Sequence, residues 1–213
     1  MGKYIGPSCR KARRVGFNLD LKSLLGKSLK NKCKLSIMPG QHGFKKRKIS
    51  NYGFQLLAKQ SVRFMYGVLE RQFKNYYKKA YKMSGITGYN LLIFLECRLD
   101  NVVYRMGFAS TRAEARQLIV HGFIYIKSNN KEKSQRVDIP SYSVKILDKI
   151  FLTKNGKVQD RVLRAIGISN ISEVVSWVVV DREHVEGVFL RFPIRDELSQ
   201  VIDERLIIEF YSK

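Results

Sequence analysis

Asp100 is the residue whose neighbours come nearest to covalent chemistry. It closes the tripeptide Arg98-Leu99-Asp100, where a carboxylate beside a guanidinium could serve as a nucleophile. The same stretch, RLDNVVYRMGFASTRAEARQLIVHGFIYI from Arg98 to Ile126, also carries Arg105, Arg112 and Arg116 among apolar residues at helical spacing. Guanidinium forks bind phosphate bidentately and stack on bases. The stretch therefore supports two chemistries: catalysis by Asp100, or recognition of a polyanion by the arginines. Asp100 falls inside a helical pattern, beside Asn101 and one turn before Tyr104. That setting favours a polar helix residue pairing locally with arginine, and a three-residue match arises mostly by chance.

No other set of side chains assembles a reaction centre. His42, His121 and His184 lie far apart, and the chain has no Gly-rich phosphate loop, G-x-S-x-G or H-E-x-x-H. Cys9 and Cys33, with His42, could begin a metal site. Zinc needs four ligands, often two cysteines two residues apart, and Ala12 stands where the partner of Cys9 would be. The expectation is no catalytic residue, no metal and no cofactor. The odd, sparse set Cys9, Cys33 and Cys97 suits a reducing interior better than a disulfide scaffold. Cys97 reads as a small core residue.

Charge points to the partner. Among 213 residues, 40 are Lys or Arg and 18 are Asp or Glu, a net of +22. Residues 1–82 hold 21 of the cations against Asp20 and Glu70 alone, a net of +19. Residues 83–180 carry +6 and residues 181–213 carry −3. A body this cationic needs a polyanion, and nucleic acid is the usual one. The basic groups gather at Arg10, Arg13 and Arg14, in the run Lys45-Lys46-Arg47-Lys48, at Arg63, and on the face Arg71, Lys74, Lys78 and Lys82. No apolar run approaches a membrane span, no secretory leader is evident, and Gly6 breaks the myristoylation pattern, so no membrane partner is expected.

These groups need elements to hold them. Residues 1–48 read as an irregular basic arm with one short helix near Leu19–Leu25, ordering against a partner. Residues 49–97 read as a helical domain. Its first helix is capped by Ser50 or Asn51, with Leu56, Leu57, Gln60, Phe64 and Met65 inward. Gly67 breaks the chain, and the next helix turns Leu69, Phe73, Tyr76, Tyr77 and Ala80 inward. One helix is expected over 88–107, burying Leu91, Leu92, Leu95, Leu99, Val102 and Val103 and setting Arg98 and Arg105 on one face. Gly107 ends it. Thr111 and Glu114 form a capping box for a shorter helix that buries Ala115, Leu118 and Ile119 and closes at Gly122.

From Phe123 the period changes to two. Strands are expected at Ile124–Ile126, Val137–Ile139, Val144–Ile146 and Ile150–Leu152. A helix follows over Val158–Ile166, with Val162, Leu163 and Ile166 inward. Trp177–Val180 and Val188–Leu190 form an antiparallel pair, and Leu206–Phe210 reads as a last strand. The fold class is α+β: an all-helical domain, and a domain in which an antiparallel sheet packs on helices carrying the arginine hairpin. The second domain is expected over 98–194.

Segments spread in order along the whole chain carry a resemblance. They are KYIGPSC (Lys3–Cys9), MPGQHG (Met38–Gly43), SNYGFQLLAKQ (Ser50–Gln60), YGVLERQFKNYY (Tyr66–Tyr77), RLDNVVYRMGFASTRAEARQLIVHG (Arg98–Gly122), IPSY (Ile139–Tyr142), VEGVFLRFP (Val185–Pro193) and LIIEFYSK (Leu206–Lys213). The chain resembles the fourth small-subunit ribosomal protein family of bacteria and their organellar descendants. Residues 98–152 resemble the RNA-binding domain named after it, which also occurs in pseudouridine synthases, tyrosyl-tRNA synthetases and heat-shock RNA binders. Pseudouridine synthases share only the tripeptide around Asp100, since Asn101-Val-Val follows here rather than Thr-Ser-Gly.

The resemblance implies an all-helical first domain to which residues 195–213 return, a second domain with the RNA-binding module at 98–152, and a structural constituent of the small subunit, not an enzyme. It implies early binding to the 5′ domain of small-subunit rRNA at a helix junction, nucleation of assembly, and a place beside the fifth small-subunit protein. It also implies contact with mRNA at the entry channel, and so an influence on translational accuracy. The setting is the cytoplasmic ribosome of a bacterium, or an organellar one. The expected RNA-contacting residues are Arg10, Arg13, Arg14, Lys45, Lys46, Arg47, Lys48, Arg63, Arg71, Lys74, Arg98, Arg105, Arg112, Arg116 and His121. There are two departures. Family members that hold zinc use four cysteines, of which Cys9 and Cys33 remain, and the usual short hairpin is replaced here by KSNNKEKSQR (Lys127–Arg136). The rivals are a stand-alone RNA-modifying enzyme using Asp100 and a non-ribosomal RNA chaperone or repressor.

Overall fold

The computed structural model describes residues 4, 6–19, 21, 33–45, 48–129, 133–153, 155, 160–169 and 175–212. The chain divides into two compact units, Met1–Leu92 with Ser199–Lys213, and Ile93–Leu198. Each is α-helical in part, and the second carries the sheet, so the architecture is α+β.

The first unit is built of α1 (Ser8–Val15), α2 (Asn51–Met65), α3 (Glu70–Lys82), the start of α4 (Thr87–Glu96) and α8 (Glu204–Tyr211). Ser50 caps α2 by accepting from the Gly53 N–H at 3.2 Å. Gly67, at φ 62°, makes the break before α3. Phe73, Tyr76, Tyr77 and Ala80 are buried along α3, as its spacing predicts, but Leu69 is its exposed N-cap and not part of the stripe.

Three expectations need correction in this unit. The segment Leu206–Phe210 is helix α8, not a strand. Asp203 caps it by accepting from the Arg205 N–H, Ile207 is buried, and Tyr211 stacks on Tyr77 with centroids 4.6 Å apart. Helical side-chain spacing is what brings Ile207 and Tyr211 to the same side. Of the expected stripe of α2 Met65 is buried, but Gln55, Lys59 and Val62 turn inward with it in place of Leu56, Leu57, Gln60 and Phe64. Gln55 and Lys59 are tolerated there because Glu209 and Glu70 accept from them at 2.9 and 2.8 Å. Thirdly, the basic N-terminal segment contains α1, ended by Gly16 at φ 88°. Most of the short helix expected near Leu19–Leu25 lies outside the described residues.

Cys9 and Cys33 form a disulfide, with Cα atoms 5.7 Å apart. This corrects the reading of three reduced thiols. A 24-residue separation brings them together only through tertiary structure. Their sulfurs are bonded to each other, and the described residues contain no group of three or more potential ligands able to hold a metal.

The second unit holds the rest of α4, α5 (Leu99–Arg105), α6 (Arg112–Val120), α7 (Asp160–Ser169) and a five-stranded sheet. The strands are β1 (Ile124–Lys127), β2 (Gln135–Arg136), β3 (Lys149–Leu152), β4 (Val178–Asp181) and β5 (Glu186–Phe189), in the order β2-β1-β3-β5-β4 with every pair antiparallel. Ile126 stands opposite Ile150, and Ile150 opposite Gly187. Ile124, Ile126, Ile150, Leu152 and Phe189 turn into a core shared with Leu99, Val103, Leu118 and Ile119. A Cβ on Gly187 would come within 2.8 Å of the Met106 sulfur, so glycine lets the α5–α6 turn lie close to β5.

The single helix expected over 88–107 is two. Arg98 is extended (φ −68°, ψ 137°) and bridges Ser143. The Leu99 and Asp100 N–H groups donate to the carbonyls of Tyr142 and Pro140, and the Val144 N–H donates to Cys97. Those bonds replace helical ones, so Arg98 and Arg105 do not share a helix face. The bond from Val144 to Cys97 takes the start of Val144–Ile146 out of the sheet, and the strand expected at Val137–Ile139 lies instead at Gln135–Arg136, with the Val137 N–H still donating to Ile124 at 3.2 Å. Along α7, Val162 is buried but Leu163 is exposed, and Ala165 takes its inward place.

Candidate nucleic-acid interface

The turn from α5 to α6 follows the glycine and cap signals. Gly107 and Gly122 have φ of 80° and 74°. Thr111 accepts from the Glu114 N–H at 3.1 Å. The reciprocal bond differs from expectation: the Glu114 carboxylate accepts from the Ser110 N–H at 2.8 Å and from its hydroxyl, one residue before the cap.

The four arginines of this hairpin are held from within. Asp100, 1% exposed, accepts two bonds from Arg98 (3.0 and 2.7 Å) and two from Arg116 (3.0 and 2.6 Å). Glu96, also 1% exposed, accepts from Arg105 at 2.8 and 3.2 Å and from the Asn101 amide at 2.6 Å. Asn101 in turn accepts from Arg112 Nε at 2.8 Å. Arg112 lies over the Tyr104 ring at 4.5 Å, and Arg105 faces Trp177 at 5.7 Å. Arg98 and Arg112 are buried, whereas the Arg105 and Arg116 side chains keep 22% and 17% of their exposure. Two carboxylates thus organise four guanidiniums, and the cluster keeps a net positive charge. Arg112 was expected to lie off the core and is instead interior. Asp100 has its oxygens turned to two arginines, the arrangement of an organising counter-ion and not of a nucleophile.

The first unit presents cations differently. Arg71, Lys74, Lys78 and Lys82 are exposed along α3, and none has a carboxylate partner among the described residues. Arg10 and Arg14 are exposed on α1, while Arg13 donates to the carbonyls of Ile37 and Met38 at 2.9 and 3.0 Å. Arg63 reaches Glu70 at 3.5 Å. Lys45, Lys48 and His121 are exposed, and Lys46 and Arg47 lie outside the described residues.

Around Glu70, burial works to raise the carboxyl pKa. Hydrogen bonds from Lys59 and Tyr211, with the charges of Lys59 and Arg63, outweigh it and hold the group below the ordinary value. Cys97 is buried, and desolvation together with Glu96 pushes its thiol up to about 12, so it stays protonated and inert.

Sequence reasoning passed over Glu96 and Asn101. A signal existed, because Glu96 and Asp100 are the only acids between Met83 and Ala113, among the arginines they bind.

Fold and site define a basic RNA-binding protein of structural kind, not an enzyme. Residues 3–96 match the model for the ribosomal protein S4/S9 N-terminal domain, and residues 97–126 match the S4 domain. Over all 213 residues, and the full length of each relative, the chain is 52% identical to small ribosomal subunit protein uS4 of Wigglesworthia glossinidia brevipalpis. It is 50% identical to the proteins of that name from Chromobacterium violaceum and Neisseria meningitidis, again over full length. The chain belongs to the uS4 family of small ribosomal subunit proteins.

Proposed function

We propose that the chain is a structural constituent of the small ribosomal subunit that binds rRNA through its exposed basic faces. The observation that carries this reading is the row Arg71, Lys74, Lys78 and Lys82, four exposed cations on one rigid helix without a carboxylate partner among the described residues. Uncompensated cations on a preformed frame lose little freedom when phosphates dock. Arg10, Arg14, Lys45, Lys46, Arg47, Lys48 and His121 contribute further RNA contacts. In the hairpin, Arg105 and Arg116 meet RNA with their exposed ends, while Arg98 and Arg112 hold the frame. Arg13 contributes through the field it adds, and Arg63 lies partly exposed at 3.5 Å from Glu70.

The protein binds the 5′ domain of small-subunit rRNA at a helix junction and nucleates assembly there. Double-stranded RNA hides its major groove, so shape and phosphate positions are what such a surface reads. It sits beside the fifth small-subunit protein and near mRNA at the entry channel, on the cytoplasmic ribosome of a bacterium, and so affects accuracy. The excess of acids in residues 181–213 supports a protein neighbour at that end. Sedimentation of cell extract on a density gradient tests the reading. The chain should travel in equal numbers with small subunits, and a peak confined to free protein would reject it. Incubation with rRNA should form no pseudouridine.

A further inference from the structure

The sequence reading passed over Lys11, and its surroundings are unlike those of the other cations. Its ammonium lies 3.5 Å from the centroid of the Tyr4 ring and 4.7 Å from that of Phe64. The other side of the cluster is Arg63 of α2, whose guanidinium is 4.8 Å from the same Phe64 ring. Packing of α1 on α2 thus brings two cations to one aromatic ring. Lys11 has no carboxylate partner among the described residues, and Arg63 Nε is buried with no hydrogen-bond partner among them. The nearby acid, Glu70, is already shared by Lys59, Arg63 and the Tyr211 hydroxyl. Arg10 and Arg14 add charge from the helix of Lys11 itself, while Arg13 is turned to backbone carbonyls.

Two cations at one ring, with the nearby carboxylate of Glu70 reaching Arg63 alone and divided among three donors, are a liability in the free protein. An anion that touches both removes it. We infer that Lys11 and Arg63 together seat one backbone phosphodiester of rRNA. This rests on the rRNA-binding reading and adds a specific contact to it. The Tyr4 and Phe64 rings position the ammonium, and the phosphate supplies acceptors for the Lys11 protons and for the Arg63 fork.

A proton is linked to this contact. Desolvation, then the charge of Arg63, lowers the Lys11 pKa to about 8 in the free protein. A bound phosphate acts in the opposite sense and restores it toward the ordinary lysine range near ~10.4. Above about pH 8 the free protein has lost the proton that the complex keeps, so binding must take one up. Two opposed trends follow. The stability of the free protein rises with pH between the folded and unfolded pKa values of Lys11, because the unfolded chain binds the extra proton there. Affinity for rRNA falls over the same interval.

The test uses the full chain and a transcript of the 5′ domain of small-subunit rRNA, with circular dichroism to check that each variant folds. From pH 7 to 9 the wild-type affinity should fall about tenfold, the loss expected when one lysine deprotonates about one unit above its pKa. Lys11→Arg keeps the charge at every pH and should bind without that fall. Lys11→Gln should also lose the fall, and its log–log salt slope should shrink by about 0.8. Side-chain NMR of Lys11 should show its pKa moving up by more than about one unit on adding the transcript, and not with inorganic phosphate at matched concentration. Equal pH profiles for wild type and Lys11→Arg, with rRNA binding intact, would overturn the seat and leave the rRNA reading standing. An equal shift with inorganic phosphate would overturn the assignment to RNA. Absence of rRNA binding at any pH would overturn both.

Discussion

In the α5–α6 hairpin, Arg98, Arg105 and Arg116 are anchored by buried carboxylates and Arg112 by the Asn101 amide, whereas Arg71, Lys74, Lys78 and Lys82 of α3 stand in solvent with no carboxylate partner among the described residues. In the hairpin, Asp100 and Glu96 are each 1% exposed and fix the guanidiniums through paired bonds. On α3 the side chains of Arg71, Lys74, Lys78 and Lys82 are held only by the helix that carries them. The difference separates two uses of positive charge. Buried arginines with carboxylate partners specify the shape of the hairpin, and their charge is largely spent inside it. Unpaired cations on α3 contribute little to the fold and keep their charge for phosphate.

Removing Asp100 should break the comparison at its strongest point. Asp100→Ala leaves Arg98 buried without its bidentate acceptor and Arg116 without its anchor. Such an uncompensated buried charge costs about 3–5 kcal/mol. Urea unfolding of the full chain should show that loss, and a shift below ~0.5 kcal/mol would mean that Asp100 only tidies a surface.

The opposite result is expected on α3. Changing Arg71, Lys74, Lys78 and Lys82 together to Gln should leave the unfolding midpoint nearly unchanged, since exposed substitutions stay within about 0.5 kcal/mol each. The slope of log affinity for 5′-domain rRNA against log salt should shrink by about 3, one phosphate for each lost cation. An unaltered slope would transfer the RNA surface to the hairpin and the N-terminal segment, and would reverse the roles assigned to the two regions.

Where short-range physics decides, the residues themselves reveal the outcome. The inward stripe of α3, the cap at Thr111 and the glycine stops at 107 and 122 all follow from contacts within a few residues. Longer-range partners decide the rest. Arg98 leaves the helix because Pro140, Tyr142 and Val144, some forty positions on, take its neighbours' backbone bonds. Gln55 and Lys59 point inward because Glu209 and Glu70 receive them, which no local period can announce. Leu206–Phe210 is a short apolar run whose period does not discriminate strand from helix, and packing on α2 settles it. The candidate site divides in the same way. That the arginines matter was legible from their density, but that Glu96 and Asp100 would engage all of Arg98, Arg105 and Arg116 was not. Cys9 and Cys33 were legible as a pair that could share a metal, but not as the two ends of a disulfide.

The smallest effect lies at Glu70, which resembles Asp100 in chemistry but not in burial. Both accept from two cationic side chains, yet the Glu70 side chain is 44% exposed. Water screens its pairs with Lys59 and Arg63, so they contribute far less than a buried cluster. The folded pKa of Glu70 is lowered, so its contribution is present above the ordinary carboxylate value and is lost as pH falls through the lowered one. Wild type should therefore exceed Glu70→Gln in unfolding midpoint near neutral pH, and the gap should close in acid. No gap at neutral pH would show that the Tyr211 hydrogen bond, which the amide can also accept, and not charge, is what joins α3 to α8. The first unit would then be held by aromatic packing around Tyr77 and Tyr211, and buried charge would remain a device of the hairpin alone.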